Sequence, residues 1–353
     1  MRKIFLIGAL PPPVQGMAVI NQSMAQLLGQ SNIVELINVS AGSLTRGANY
    51  HATRLVRAAR AIGKLILVKH KDRASVYMSL SGGFGQAYEL LFVFTARLKQ
   101  LPLTLHHHSY AYVSSPRVLT RLVFAAAPKC TRHVALSNGM KAGLRSMYGL
   151  DNIDVISNAA FLPPPTVAFP SARPLRNLGF ISNISEEKGI FDFVSLIDTC
   201  VERGMDVYGL VAGPFQDSQI ESHVLGLLKD RPHIRYVGPK YGQAKDEFFA
   251  DIDTLIFPSH YRNEAEPVTI HEAMARAIPV IAYGRGAIPE ILTGEHGVSI
   301  PPSAGFISCA LEAITRWRAL GSDFMKVRQQ ALSHFQQLQQ NACRTLNELL
   351  PTV

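Results

Sequence analysis

DTLIFPSHYRNEAEPVTIHEAMARAIPVIAYG, residues 253–284, sets two short apolar runs, DTLIFPS (253–259) and AIPVIAYG (277–284), on either side of NEAEPVTIHE (263–272). Each run has the length of a buried strand, and TIHEAMARA (269–277) between them is rich in helix formers. Strand, loop, helix, strand is one unit of a parallel sheet, because parallel neighbours need a crossover to join them. Pro267 stops a helix from reaching back through Glu264–Glu266, so Glu264 falls in the loop and Glu272 in or near the first helical turn. Three carboxylates beside buried strands need water or a partner.

The same rhythm runs outward in both directions. KIFLIGA (3–9), IVELINV (33–39), ASVYMSL (74–80), LPLTLHH (101–107), HVALS (133–137) and IDVISN (153–158) read as strands, with helical patterns such as 18–30 and 86–100 between them. The proline-rich LPPPTVAFPSARP (162–174) interrupts the alternation as a linker would. It resumes with NLGFIS (177–182), DVYGLVAG (206–213), IRYVG (234–238), DTLIFP (253–258) and PVIAY (279–283), and 306–350 is helical in composition. The expected architecture is therefore α/β, with two Rossmann-like doubly wound domains facing a central cleft. A first domain is expected over 1–165, a linker over 166–176, a second domain over 177–325, and a final helix over 326–353 that packs back on the first. Ligands of such sheets bind beyond the carboxyl ends of the strands, so the loops that follow strands are where chemistry is sought.

Composition narrows the function class. The 353 residues are 47% hydrophobic with mean hydropathy +0.11, as in a well-buried globule. MRKIFLIGAL is cut short by Pro11–Pro13 before a signal peptide could form, and no apolar run approaches the roughly 20 residues of a membrane span. A cytoplasmic protein is expected. Cys130, Cys200, Cys309 and Cys343 form no CxxC pair, which points to neither a disulfide framework nor a zinc site. Charge is uneven: residues 1–170 carry 18 Lys+Arg against 5 Asp+Glu, whereas 171–353 carry 17 against 21. Within 46–73 the only acid is Asp72, and Arg57, Arg60 and Lys64 share one helical arc while Ala59, Ile62 and Ile66 share another. Such a basic amphipathic helix suits a solvated face, an anionic membrane surface with peripheral attachment at the inner face, or a phosphate-bearing acceptor. No recognition motif or interleaved basic-aromatic run accompanies the charge, so nucleic acid is not an expected partner.

Four loops carry the candidate residues. GALPPPVQGMA (8–18) lacks the GxGxxG of a dinucleotide site, yet Gly16 stands where a helix opens and could approach an anion. LHHHSY (105–110) follows a strand, and alternation sends His106 and His108 to one face and His107 to the other; three consecutive histidines converge poorly on one zinc ion. SNISEEKGIFDF (182–193) brings Lys188 to a helix start, where an ammonium and free backbone N–H groups together suit a diphosphate. In the opening stretch, the amides around Pro267 and Val268 could face a phosphate, with Glu272 accepting from ribose hydroxyls and Glu264 from a sugar. Glu266 is left without a role, and helix capping is the plain alternative for the other two acids.

The block EAEPVTIHEAMARAIPVIAYGRGAIPEIL (264–292) resembles the retaining GT-B glycosyltransferases of family 4, also called glycosyltransferase group 1, with their E-x7-E, EAMA-x-G-x-PVIA and G-x-x-PEI patterns. Weaker similarity includes HHHSY (106–110), VALSNGMK (134–141), VISNA (155–159), the EKG loop and IFPS (256–259). The resemblance implies transfer of a sugar from a nucleotide-sugar donor to an acceptor hydroxyl, with retained configuration, no cofactor and no metal. A glycan or lipid-linked acceptor in polysaccharide synthesis would be the partner. It also implies that Glu272 binds ribose, Glu264 contacts the donor sugar, Lys188 holds the diphosphate, His108 lies near the reacting carbon and Gly16 lines the acceptor-side loop. Asn183 follows Ser182 where relatives have Gly-Arg, so this donor-binding position lacks one usual phosphate cation; Arg262 and Arg285 are the available substitutes. That departure keeps a weakly catalytic nucleotide-sugar-binding protein in view, beside a sugar-nucleotide epimerase of the same fold.

Overall fold

The computed structural model describes residues 2–12, 16–40, 48–68, 73–165 and 173–350. Residues 166–172 of the expected linker, the loop tip 13–15, and Arg46, Lys69, Lys71 and Asp72 of the basic stretch lie outside that description.

Two compact units emerge, one of Met1–Phe161 with Arg262–Glu266 and Gln339–Val353, the other of Leu162–Tyr261 with Pro267–Leu338. The first holds a six-stranded sheet of β1 (Lys3–Gly8), β2 (Ile33–Asn38), β3 (Ala74–Leu80), β4 (Leu103–His107), β5 (Arg132–Ala135) and β6 (Ile153–Val155), ordered β2-β1-β3-β4-β5-β6. The second sheet contains β7 (Asn177–Ile181), β8 (Tyr208–Ala212), β9 (Ile234–Tyr236), β10 (Thr254–Phe257), β11 (Val280–Tyr283) and β12 (Gly297–Ile300), ordered β12-β11-β10-β7-β8-β9. Every pairing is parallel. Both sheets are doubly wound, with the strand order reversing between β1 and β3 in one and between β7 and β10 in the other.

Burial explains why these runs became strands. β3 and β4 are buried along their whole length, as a parallel strand covered on both faces must be. Helices cover one face of the first sheet through Ala58, Ala61, Leu65, Phe92, Val93, Ala96 and Val123. On another core of the same unit, Leu346 and Leu349 pack with Ile4, Leu6 and Met24. The helix Ala48–Ile66 departs from the sequence reading in one respect. Ala59 and Ile66 are exposed, and the inward arc is Ala58, Ala61 and Leu65. Two arcs of this helix are apolar, and only packing on the sheet selects one. The strand Gly297–Ile300 also went unread: GVSI is short, contains Gly and Ser, and lies at the sheet edge.

Candidate functional site

In the first unit, the chain after β4 meets the segment Arg262–Glu266. Ser109 Oγ donates to Asn263 Oδ1 at 3.2 Å, so His108 and Glu264 each adjoin one side of this contact. Gly82, just after β3, makes the approach feasible, because a Cβ there would fall 1.9 Å from Ser109 Oγ and 2.6 Å from Asn263 Oδ1. The next acid in the segment is buried. Glu266 accepts from Ser157 Oγ at 2.6 Å and from the Asn158 N–H, and Asn158 Nδ2 donates to the Glu266 carbonyl at 2.8 Å. Glu266 is therefore not a bystander: it clasps the loop bearing Glu264 to the turn after β6. Sequence reasoning missed it because its partners lie more than a hundred residues upstream, although VISNA and the acid were both in view.

The histidines follow the expected alternation. His106 shares a hydrogen bond with Tyr77 Oη at 2.6 Å and lies 4.1 Å, ring to ring, from His108. His107 goes the other way, bonding Tyr112 Oη at 2.9 Å and His133 Nδ1 at 3.1 Å. Burial pushes His108 down to about 3, so its imidazole is neutral near neutral pH, and its Nε2 is sealed from solvent with no hydrogen-bond partner among the described residues. A neutral ring of that kind can offer or accept a hydrogen bond and carries no charge. Gly16 opens the helix Gly16–Gly29 and is exposed. The adjoining strand ends are held by Asn21, whose Nδ2 donates to the Ala9 carbonyl at 2.9 Å and whose Oδ1 accepts from Ser79 Oγ.

In the second unit, the loops after β7 and β10 stand side by side where the strand order reverses, the position at which open α/β sheets place ligands. Gly189 makes them one body. It holds φ at +82°, and a Cβ would lie 2.2 Å from the Pro258 carbonyl oxygen. The His260 N–H donates to the Glu187 carbonyl at 2.8 Å, and His260 Nε2 lies 2.6 Å from Asp192 Oδ2. Ser185 caps the single turn Glu186–Lys188, and the Lys188 ammonium stands 4.6 Å from the centre of the Tyr261 ring. Asn183 is half-buried in the same loop, its carbonyl accepting from Ser182 Oγ at 3.1 Å.

Pro267 is the N-cap of the helix Val268–Met274. The Ile270 N–H closes onto the Pro267 carbonyl at 3.1 Å, which leaves Val268 and Thr269 as the first-turn amides with no acceptor inside the helix. Glu272 is the fifth helical residue, past the first turn, and it does not cap. Lys245 Nζ contacts both of its carboxylate oxygens, at 2.7 and 2.6 Å. Arg276 donates to the Glu272 carbonyl at 2.8 Å and pairs with Asp246. A ribose at Glu272 would thus share this carboxylate with Lys245, a residue on the helix Gln243–Asp251 that no motif announced. Ala277 stands where the quoted family pattern has glycine, and it holds φ at +56°, the left-handed region that an L side chain enters only at some cost. Of the two substitute cations, Arg285 follows β11, the neighbour of β10, whereas Arg262 is exposed in the first unit. Among the described residues no three His, Cys, Asp or Glu side chains gather as metal ligands, and no helix is long and apolar enough to cross a membrane.

Comparison with known proteins bears on family likeness and fold. Residues 176–316 match the family model described as glycosyl transferases group 1. Over 122 residues the chain is 28% identical to CapM, a capsular polysaccharide biosynthesis glycosyltransferase of Staphylococcus aureus, a stretch covering 34% of this chain and 31% of that one. The chain thus spans about a third of that relative's length. Among solved structures, Anabaena HepE in complex with UDP and glucose superposes with a TM-score of 0.71 at 14% identity, covering all of both chains. Sucrose-phosphate synthase from Thermosynechococcus elongatus gives 0.72 at 14% identity, covering 99% of this chain and 98% of its own. At those identities the likeness is one of fold, and that fold is GT-B.

Proposed function

We propose, on the premise that residues 176–316 belong to the group 1 glycosyl transferases, that this protein moves a sugar from a nucleotide-sugar donor to an acceptor hydroxyl with retention of configuration. One observation carries the reading: the Lys188 loop and the stretch leading into the Glu272 helix follow adjacent strands at the reversal point of the second sheet, locked together at Gly189 and Pro258. Lys188, the amides of Val268 and Thr269, and Asn183 would receive the diphosphate. Glu272 would accept from ribose hydroxyls, while Glu264 and the neutral His108 would contact the transferred sugar. Gly16 would line the acceptor side. Catalysis here is positioning and electrostatics: cation and oriented amides stabilise the departing diphosphate, and the acceptor oxygen attacks from the face it leaves. No metal or cofactor enters these steps, so chelation with EDTA should leave turnover unchanged.

The acceptor we propose is a glycan or lipid-linked glycan of polysaccharide synthesis, with the protein at the anionic inner face of a membrane. The likeness to CapM supports polysaccharide synthesis as the setting, and the UDP and glucose bound to HepE make UDP-sugars the first donors to try. The test is a donor panel with mass-spectrometric detection of glycosylated product and NMR of its anomeric proton. Glu272→Gln should weaken donor binding about tenfold or more, the worth of a charge-assisted hydrogen bond. Glu264→Gln should lower kcat by about ten- to a hundredfold with little change in binding. Unaltered kinetics in both variants would reduce the acids to structural roles. Asn183 in place of the usual arginine favours a second reading, a nucleotide-sugar-binding protein of low turnover; it wins if nucleoside diphosphate binds and no donor is consumed. Interconversion of the donor's sugar without acceptor would instead mark an epimerase.

A further inference from the structure

The Glu272 carboxylate is not open to a ligand on every side. Lys245 Nζ stands almost equally close to its two oxygens, at 2.7 and 2.6 Å, so the ammonium sits between them and fills the inward-facing lone pair of each. The two side chains are only 26% and 19% exposed, which gives water little access to compete. Nothing local asks for a cation at this place. Lys245 is the third residue of the helix Gln243–Asp251, where the positive end of the helix disfavours an ammonium, and the N-cap Gly242 brings no side-chain acceptor. Its partner on the neighbouring helix is what favours it. A second ion pair runs alongside: Arg276 meets Asp246, the residue after Lys245, and also donates to the Glu272 carbonyl at 2.8 Å. Both cations lie against the buried Phe249 ring, Lys245 at 6.0 Å and Arg276 at 5.0 Å from its centre. Two helices together therefore fix the carboxylate.

We infer that Lys245 makes Glu272 a reader of one ribose hydroxyl rather than two, and so decides which deoxyribose a donor nucleotide can carry without loss. The inference rests on the donor site proposed above. A carboxylate offers roughly four lone-pair positions, and with the two inner ones taken, one is left on the outer side of each oxygen. These outer positions point away from each other, whereas the 2′ and 3′ hydroxyls are neighbours on one edge of the ring and cannot reach both. One hydroxyl bonds to Glu272, and the other does not. A ribose that expelled the ammonium would open the inner positions to both hydroxyls, but it would have to break a largely buried ion pair supported by the Asp246–Arg276 pair beside it. Lys245 thus acts through Glu272 as a positioning residue.

Calorimetric binding of nucleoside diphosphates to the full chain, each in its ribo, 2′-deoxy and 3′-deoxy forms, tests this. In the wild type one deoxy form should bind about tenfold or more weaker and the other within about twofold of the ribo form, as a charge-assisted hydrogen bond is lost or kept. In Lys245→Met the inner positions open, and both deoxy forms should lose affinity relative to the ribo form. Lys245→Arg refills those positions with a guanidinium and should restore the one-sided loss. A lysine that only stabilises the fold would shift the melting temperature and all three affinities together, so unchanged ratios in Lys245→Met overturn the inference. Equal loss for both deoxy forms in the wild type would mean that ribose expels the ammonium; the inference then falls while the donor site stands. Wild-type indifference to both would take Glu272 off the ribose and overturn it as well. If no nucleoside diphosphate binds at all, the donor site itself fails and this inference goes with it.

Discussion

Glu266 shows how one carboxylate can hold a site it does not touch chemically. Its two oxygens take the Ser157 hydroxyl and the Asn158 amide, and its own carbonyl takes the Asn158 side chain, so the Arg262–Glu266 segment is pinned two residues from Glu264. Replacing it with alanine strands a buried N–H, whose desolvation is not repaid. Glu266→Ala should lower stability by about 2–4 kcal/mol, seen as a reduced urea midpoint with an unchanged slope. It should also depress transfer through the displaced Glu264, and Glu266→Gln, which preserves shape and some acceptor capacity, should recover part of both. A Glu266→Ala protein that melts with wild type would mean the loop is held by something else.

At the scale of elements, β4 and β5 carry histidines in an interior that keeps them neutral. Burial lowers His106 and His107 well below the ordinary value, the neighbouring histidines push the same way, and burial brings His133 down to about 4. Unfolded histidines titrate near 6.5, so below that pH the unfolded chain binds more protons than the folded one. Stability is therefore full above about pH 6.5 and is lost as pH falls toward 4, by roughly 1.4 kcal/mol per pH unit for each histidine in the window. Urea midpoints taken from neutral to mildly acidic pH should drop accordingly, and His133→Phe should shallow the slope by one histidine's share. A midpoint flat over that range would contradict neutral burial of these rings. The same elements explain the placement of His108: it follows β4 directly, so strand register sets its side, and Gly82 sets how closely Ser109 can approach Asn263.

On the scale of the whole molecule, the two units divide the properties. Net positive charge and exposed apolar surface concentrate in the first, whereas the family match, apart from Arg262–Glu266, lies in the second. The chain's last long helix, Phe324–Leu349, contributes to the second unit through Leu338 and to the first from Gln339 onward. Leu346, 3% exposed against Ile4, Leu6 and Met24, is part of the first unit's core although it lies some 340 residues from β1 in sequence. Leu346→Ala should cost about 2–4 kcal/mol by cavity formation. Because the loss falls on one unit, calorimetry should show that unit's transition moving while the other stays; a single unshifted transition would rule out this packing role.

Period-two and period-3.6 patterning determined eleven of the strands and the doubly wound class, because side chains two or four residues apart share a face wherever the chain later goes. The spacing of Glu264 and Glu272 and the glycine after Lys188 were likewise legible, being local letters of a loop. Tertiary structure alone decided the rest. Glu266 met Ser157 and Asn158, Lys245 met Glu272, and Ala58, Ala61 and Leu65 rather than Ala59 and Ile66 turned inward. Each of these depends on which distant segment the fold brings alongside, and no local periodicity encodes that choice.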